Sequence, residues 1–318
     1  MSVPSRRLGA TDLLVAPLVL GGNVFGWTAD RDASFAVLDA FMAGGGTMID
    51  TADAYSAWMP GHRGGESETV IGEWLRASGK RDRVQVATKV GMLAGANGEK
   101  LAPSHIVAAC DASLRRLGVE TIDLYYAHLD DEETPQEAYL EAFGRLHDQG
   151  KFRVLGVSNF RAMRLKSAVD LGKHDPRLPR VHVLQPEYNL VSRRRFEGEL
   201  QDYCVQENIA ALPYSGLAFG YLTGKYRSPG DLEKSVRGGR VTGFMEEGGP
   251  AVLAAMDEIA ADTGATLAQI ALAWLMAQPA VTAPIASATS AAQLEELLPA
   301  MTLRLSEDQL ARLTNAGA

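Results

Sequence analysis

Cysteine is scarce in this 318-residue chain: only Cys110 and Cys204 occur. Neither belongs to a CxxC pair, which excludes the common zinc and dithiol redox motifs. Both fall in amphipathic stretches, IVAACDASLRRL and LQDYCVQENI, where a small buried thiol is expected rather than a reactive one. So few cysteines fit a reducing compartment. Positive charge is not in excess either. The net charge of -8 argues against a general nucleic-acid binder, because phosphate affinity needs clustered Lys and Arg. No apolar run reaches the length of a membrane span. The opening MSVPSRRLGATDLLV lacks the apolar core of a secretory signal, so the expected location is the cytoplasm, with no membrane partner. No HxH pair occurs, and VHV at 181–183 holds a single histidine, so a metal-assisted barrel hydrolase loses its usual ligands. VLGGNVFG has glycines, but not at the GxGxxG spacing that an open dinucleotide-binding sheet places after its first strand. No low-complexity or linker segment divides the chain, and a single domain over 1–318 is expected.

What is present is an alternation of short apolar runs with longer amphipathic segments, the pattern of parallel βα units. RRLGA and LLVAP, around Thr11 and Asp12, read as an opening hairpin. Eight strands follow, at 18–20, 47–50, 84–89, 122–128, 152–157, 181–185, 209–213 and 281–285. Helical stretches lie between them at 31–43, 66–78, 103–117, 135–149, 161–171 and 193–207. Two more, at 251–261 and 267–277, precede the last strand, and SEDQLARL adds a C-terminal helix with Ser306 as N-cap. The expected fold is therefore an α/β (β/α)8 barrel with an N-terminal hairpin and extra C-terminal helices. The segment 216–249, rich in Gly, Ser and charge, is a long connection of the kind that serves as a lid.

In such a barrel the chemistry sits at the C-terminal ends of the strands. Asp50 ends the second strand, with Tyr55 in the loop beyond it. Lys89 ends the third and His128 the fourth. Ser158 and Asn159 follow the fifth, Gln185 ends the sixth and Tyr214 follows the seventh. Each has an ordinary structural reading: a turn cap, a solvated ammonium, a satisfied histidine, a packing tyrosine. Together they place three ionisable groups and a phenol at one mouth. Reducing a carbonyl needs a proton donor, and an unperturbed phenol, with a pKa near ~10, keeps its proton at neutral pH. Lys89 beside Tyr55 would lower that value, Asp50 would hold Lys89 charged, and His128 would meet the substrate oxygen. No side chain supplies a hydride, so the chemistry calls for a redox cofactor.

These residues resemble the aldo-keto reductase superfamily. MIDTADAY, VATKV and YYAH match its Asp, Tyr, Lys and His segments in order and spacing. The likeness continues through GVSNF, LQPEYNL, LPYSGLAFGYLTGKY and IASATSAAQLEE, nearly the whole chain. GGESETVIG and LTGKY are closer to bacterial members and potassium-channel beta subunits than to the aldose reductase branch. The resemblance implies an NADP(H)-dependent oxidoreductase acting on a small carbonyl or alcohol, with Asp50, Tyr55, Lys89 and His128 catalytic. It implies that Ser158, Asn159 and Gln185 bind the nicotinamide amide and that Tyr214 stacks on the ring. Ser215, Leu217, Gly220 and Lys225 would embrace the pyrophosphate, and Thr289, Gln293 and Glu296 the adenosine end. Two departures keep NAD(H) open. The stretch around Thr289 lacks the Arg or Lys that many relatives place there, leaving Arg237 or Arg240 to meet a 2′-phosphate, and Leu297 stands where relatives often have Asn. Phe25, Trp27, Trp58, Met59 and Met92 are the expected substrate walls. A nucleotide-sensing subunit with little turnover is the alternative function.

Overall fold

The computed structural model describes residues 3–95, 99–234 and 238–317. Arg237 lies outside them. Strands β1 (Arg6–Arg7) and β2 (Leu14–Val15) pair antiparallel as the opening hairpin. Eight parallel strands follow: β3 (Val19–Gly21), β4 (Met48–Asp50), β5 (Gln85–Val90), β6 (Ile122–Ala127), β7 (Phe152–Ser158), β8 (Val181–Gln185), β9 (Ala210–Ala211) and β10 (Ile285–Ala286). They neighbour one another in chain order, and β10 lies beside β3. The ring closes where the Ile285 N–H donates to the Pro213 carbonyl (2.8 Å) and the Thr282 N–H to the Ala211 carbonyl (2.9 Å). The expected (β/α)8 barrel is the fold.

Around it lie α1 (Arg31–Ala43), α2 (Glu66–Ser78), α3 (Pro103–Leu117), α4 (Gln136–Asp148), α5 (Ala162–His174) and α6 (Glu199–Gln206). Then come α7 (Thr242–Glu246), α8 (Gly249–Thr263), α9 (Leu267–Met276), α10 (Ala291–Leu297) and α11 (Glu307–Ala316). The first three match the sequence expectation to the residue, because their ends carry local stops. Asp30 caps α1 by accepting from the Ala33 N–H, and Gly79 and Gly118 take the left-handed conformation that ends α2 and α3. Helix α6 begins six residues later than expected, because Gly198, at φ 84°, breaks the stretch that the apolar period runs through. The last strand is shorter than expected: Pro284 has no N–H to donate, and Val281 makes only an isolated bridge to Ala211. The long connection is a chain of short 3-10 turns (Ala218–Thr223, Pro229–Lys234, Gly238–Arg240) leading into α7, anchored by buried Tyr221, Leu222, Tyr226 and Val241. Among the described residues, no single helix is long and apolar enough to cross a membrane.

Two apolar layers hold the barrel. The outer one lies between strands and helices. The inner one fills the barrel with Val19, Met48, Ala87, Leu124, Tyr126, Val154, Val183 and Leu212, and Leu8, Leu13 and Val15 of the hairpin join it. The period of two along each strand then dictates the mouth. Met48 is followed inward by Asp50, Ala87 by Lys89, Tyr126 by His128, Val183 by Gln185 and Leu212 by Tyr214. The apolar floor and the polar rim are one alternation, read two residues apart.

Candidate active site

Asp50, Lys89 and Tyr55 form a hydrogen-bonded triangle. The Lys89 ammonium is fully buried and donates to Asp50 Oδ1 (2.5 Å), to the Thr51 carbonyl (2.7 Å) and to Tyr55 Oη (2.9 Å). An ammonium has three protons, and all three are used. The Tyr55 hydroxyl in turn lies 3.4 Å from Asp50 Oδ1. The His128 ring stands edge-on to Tyr55, with centroids 5.9 Å apart, and its buried Nδ1 has no hydrogen-bond partner among the described residues.

Burial decides the electrostatics here. Desolvation pushes the Lys89 ammonium down from its ordinary value, and the Asp50 carboxylate opposes it most strongly. Desolvation, then the charge of Lys89, pushes His128 well below the usual imidazole range, so the ring is neutral at neutral pH. The Tyr55 phenol moves well above its usual value, from desolvation first and the Asp50 charge second. This corrects the expectation that Lys89 depresses it. The same carboxylate that holds the ammonium also disfavours a phenolate, and the site is too dry for the ammonium to win.

A second row of residues continues from Asp50. Its Oδ2 accepts from Gln185 Nε2 (2.8 Å), the Gln185 carbonyl accepts from Ser158 Oγ (2.9 Å), and Ser158 Oγ accepts from Asn159 Nδ2 (3.1 Å). Asn159 Oδ1 then accepts from the Tyr214 hydroxyl (2.8 Å), and burial pushes that phenol up to about 12. Asn159 and Ser215 hold φ of 62° and 56°. Non-glycine residues pay for that conformation, so each is fixed from outside: Asn159 donates to the His128 carbonyl (3.0 Å), and the Ser215 carbonyl accepts from Asn189 Nδ2 (2.9 Å).

The remaining candidates lie further round the rim. Leu217 packs partly buried against the core, and Gly220 faces Lys225, where a Cβ would fall 3.0 Å from Lys225 Nζ. Thr289 and Gln293 are joined at the start of α10 (Thr289 Oγ1 to Gln293 Oε1, 2.9 Å), and Glu296 is exposed on the same helix. The Arg240 guanidinium stacks 5.3 Å over the Phe219 ring. At the mouth, Trp27 and Trp58 meet edge to face at 5.7 Å, and Trp58, half exposed, also meets Tyr55 at 6.2 Å. Met92 is exposed and Met59 half-buried. Phe25, expected as a wall, is fully buried in the outer layer and presents no surface.

What stands behind Lys89 carries no signal in the local sequence. Glu68, fully buried on α2, accepts from Thr88 Oγ1 (2.6 Å) and from Arg116 Nε (2.6 Å). Beside it Asp53 is 2% exposed, and neither of its carboxyl oxygens has a hydrogen-bond partner among the described residues. Desolvation and then Glu68 push its carboxyl well above the usual range. Asp53 reads as one more turn residue in MIDTADAY, and its burial comes from contacts with α2 and α3 that no local pattern reports. Among the described residues, no group of three or more His, Cys, Asp or Glu could hold a metal ion.

Comparison with known proteins gives the same direction. The model of the aldo/keto reductase family matches residues 17–318. An aldo-keto reductase named str7 from Strobilurus tenacellus is 31% identical over 98% of this chain and 91% of its own length. L-glyceraldehyde 3-phosphate reductase of Escherichia coli O157:H7 is 31% identical over 97% of this chain and 90% of its own. Aldo-keto reductase yakc [NADP(+)] of Schizosaccharomyces pombe is 29% identical over 99% of this chain and 92% of its own.

Proposed function

The chain belongs to the aldo/keto reductase family, and from that premise we propose that it moves a hydride between NADP(H) and a carbonyl or alcohol, with Tyr55 carrying the proton. The observation that carries this reading is the Tyr55–Lys89–Asp50 triangle, continuous with the row from Gln185 to Tyr214. The reductase names of the relatives support the oxidoreductase class, and one is named for NADP(+).

The donor set fits a nicotinamide nucleotide. Ser158, Asn159 and Gln185 offer amide and hydroxyl groups of the kind a carboxamide needs, and Tyr214 offers a flat ring beside them. Gly220, bare of a Cβ, lets the exposed Lys225 side chain lie against the backbone, where its ammonium is a cation that a phosphate could meet. The dinucleotide, when bound, supplies or accepts the hydride. Tyr55 keeps its proton at neutral pH and gives it to the oxygen of the carbonyl as that oxygen gains charge. An alkoxide is a far stronger base than a phenolate, so a raised phenol does not obstruct reduction. Lys89, 2.9 Å from the hydroxyl, stabilises the phenolate left behind. Neutral His128 donates a hydrogen bond to the same substrate oxygen. Trp27 and Trp58 wall the mouth against the substrate's apolar face. One relative's name points to a small phosphorylated aldehyde, and the aldehyde class is the substrate expected here.

The purified protein is expected to oxidise NADPH with 4-nitrobenzaldehyde, and faster than NADH. Tyr55→Phe removes only the hydroxyl; turnover is expected to fall by about 10²–10⁴-fold with NADPH affinity nearly unchanged. Unchanged turnover would remove Tyr55 as proton carrier.

A further inference from the structure

The loop between β3 and α1 touches two regions that the reaction must coordinate. On one side Ser287, just past β10, donates from Oγ to Asn23 Oδ1 (2.6 Å). The approach depends on Gly21, where a Cβ would fall 2.4 Å from Ser287 Oγ. On the other side the Trp27 indole donates to the Asn23 carbonyl (2.6 Å). A single residue, Asn23, thus holds Ser287 with its side chain and Trp27 with its main chain.

The loop is a stiff body rather than a slack connection. Phe25 N–H donates to the Gly22 carbonyl (3.0 Å), Gly26 N–H to Ala29 (2.9 Å) and Ala29 N–H to Val24 (2.9 Å). Its Phe25 carbonyl accepts from Ser56 Oγ (3.2 Å), the residue next to Tyr55. Trp27 meets Trp58, and Trp58 meets Tyr55, edge to face. Two residues beyond Ser287 stands Thr289, in the segment assigned above to the adenosine end of the nucleotide.

We propose that Ser287 and Asn23 are positioning residues that set the Trp27 wall according to whether the nucleotide is in place. The proposal rests on the nucleotide reading above. A shift of the β10 end reaches Asn23 through one hydrogen bond and Trp27 through one more, with a hydrogen-bonded turn between. The nucleotide therefore biases the substrate wall, and by reciprocity a substrate on that wall tightens the nucleotide by the same factor. The aldehydes that feel this coupling are those with a flat apolar face to lay on Trp27. A small aldehyde that does not reach the wall does not.

Trp27 reports on the coupling directly. Trp74 and Trp274 are 1% and 0% exposed, so in Trp58→Phe the remaining accessible indole is Trp27. Acrylamide quenching of Trp58→Phe is measured with and without saturating NADP+, which does not absorb the emitted light. NADP+ binding is followed separately by calorimetry. The quenching constant is expected to change by about twofold on NADP+ binding, and Ser287→Ala and Asn23→Ala should each abolish most of that change. In the parent chain the same two substitutions are expected to raise KM for 4-nitrobenzaldehyde about three- to tenfold, with kcat for propanal within about twofold. Calorimetric binding of NADP+ with no change in quenching overturns the coupling and leaves the nucleotide reading standing. So does a full response in Ser287→Ala. Failure of NADP+ to bind at all overturns the nucleotide reading, and this inference with it.

Discussion

Lys89→Met tests the centre of the site, because the structure says what is left behind. The thioether has about the length of the lysine stem but no charge. It removes three donated hydrogen bonds at once: to Asp50 Oδ1, to the Thr51 carbonyl and to Tyr55. Asp50, 1% exposed, keeps Gln185 on Oδ2, and its Oδ1 is left with the Tyr55 hydroxyl at 3.4 Å. Breaking a buried ion pair from one side costs about 3–5 kcal/mol, because the surviving charge stays desolvated. Removing both charges is cheaper. Lys89→Met with Asp50→Asn leaves a neutral amide that can still meet Gln185, and a loss of about 1–2 kcal/mol is expected. Urea unfolding followed by far-ultraviolet circular dichroism measures all four corners of the cycle. The double variant should be more stable than Lys89→Met alone, with a coupling of about 2 kcal/mol or more. Turnover should be low in every variant, which separates the stability cycle from catalysis. If Lys89→Met lost less than about 1 kcal/mol, or if the losses simply added, the buried charge pair would not be what organises this mouth.

Three further outcomes follow from the directions of titration. The raised Tyr55 phenol predicts a reduction rate with no phenol titration through neutral pH, while alcohol oxidation, which needs the phenolate, climbs with pH into the alkaline range; parallel pH profiles in the two directions would contradict this. His128 is neutral in the folded protein and titrates near ~6.5 when unfolded. Its contribution to stability is present above that pH and is lost as pH falls below it, so His128→Gln should flatten the acid side of a stability–pH curve measured by urea unfolding. Asp53 has the opposite sign. Its folded carboxyl holds the proton to higher pH than the unfolded value near ~3.9, so stability falls as pH rises between the two. Asp53→Asn, neutral at every pH, should remove that slope and raise the melting temperature at pH 8 by about 2 °C or more; a variant with the parent's slope would show that Asp53 is ionised in the fold.

Local signals carried most of the fold. The apolar period found α1, α2 and α3 to the residue, and strand-end placement put Asp50, Lys89, His128 and Gln185 at the mouth. What escaped depends on contacts between distant segments. Asn23 and Ser287 are 264 residues apart, and Gln185 and Asp50 are 135 apart. The order of motifs put Gln185 at the mouth but could not show that it would donate to Asp50. Desolvation escaped for the same reason. Spacing places an ammonium near a phenol and says nothing about how much water remains, so the direction of the Tyr55 shift came out reversed. Asp53 and Glu68 were hidden because an acidic residue in a loop or first helical turn ordinarily faces solvent. Glu68 is buried where α2 meets α3, bonded to Thr88 of β5 and Arg116 of α3, with Asp53 beside it.

The position of Asp50 explains why one carboxylate can serve two kinds of chemistry. Its Oδ1 holds the ammonium that faces the phenol, and its Oδ2 holds the amide that begins the row to Tyr214. Tyr55 and Tyr214, at opposite ends, are joined through Lys89, Asp50, Gln185, Ser158 and Asn159, without a gap. In the reaction proposed above, the proton from Tyr55 and the hydride would arrive at one carbonyl, with the row to Tyr214 holding the ring that carries the hydride, and both transfers are sensitive to displacements well under an ångström. Loops alone would position the two halves independently. Here the shared carboxylate stands at the end of β4, bonded within the barrel wall, and neither half can shift far without straining the other. That is a reason for the acid to sit on a strand and the phenol on a loop. The strand sets the register, and the loop brings the phenol to it.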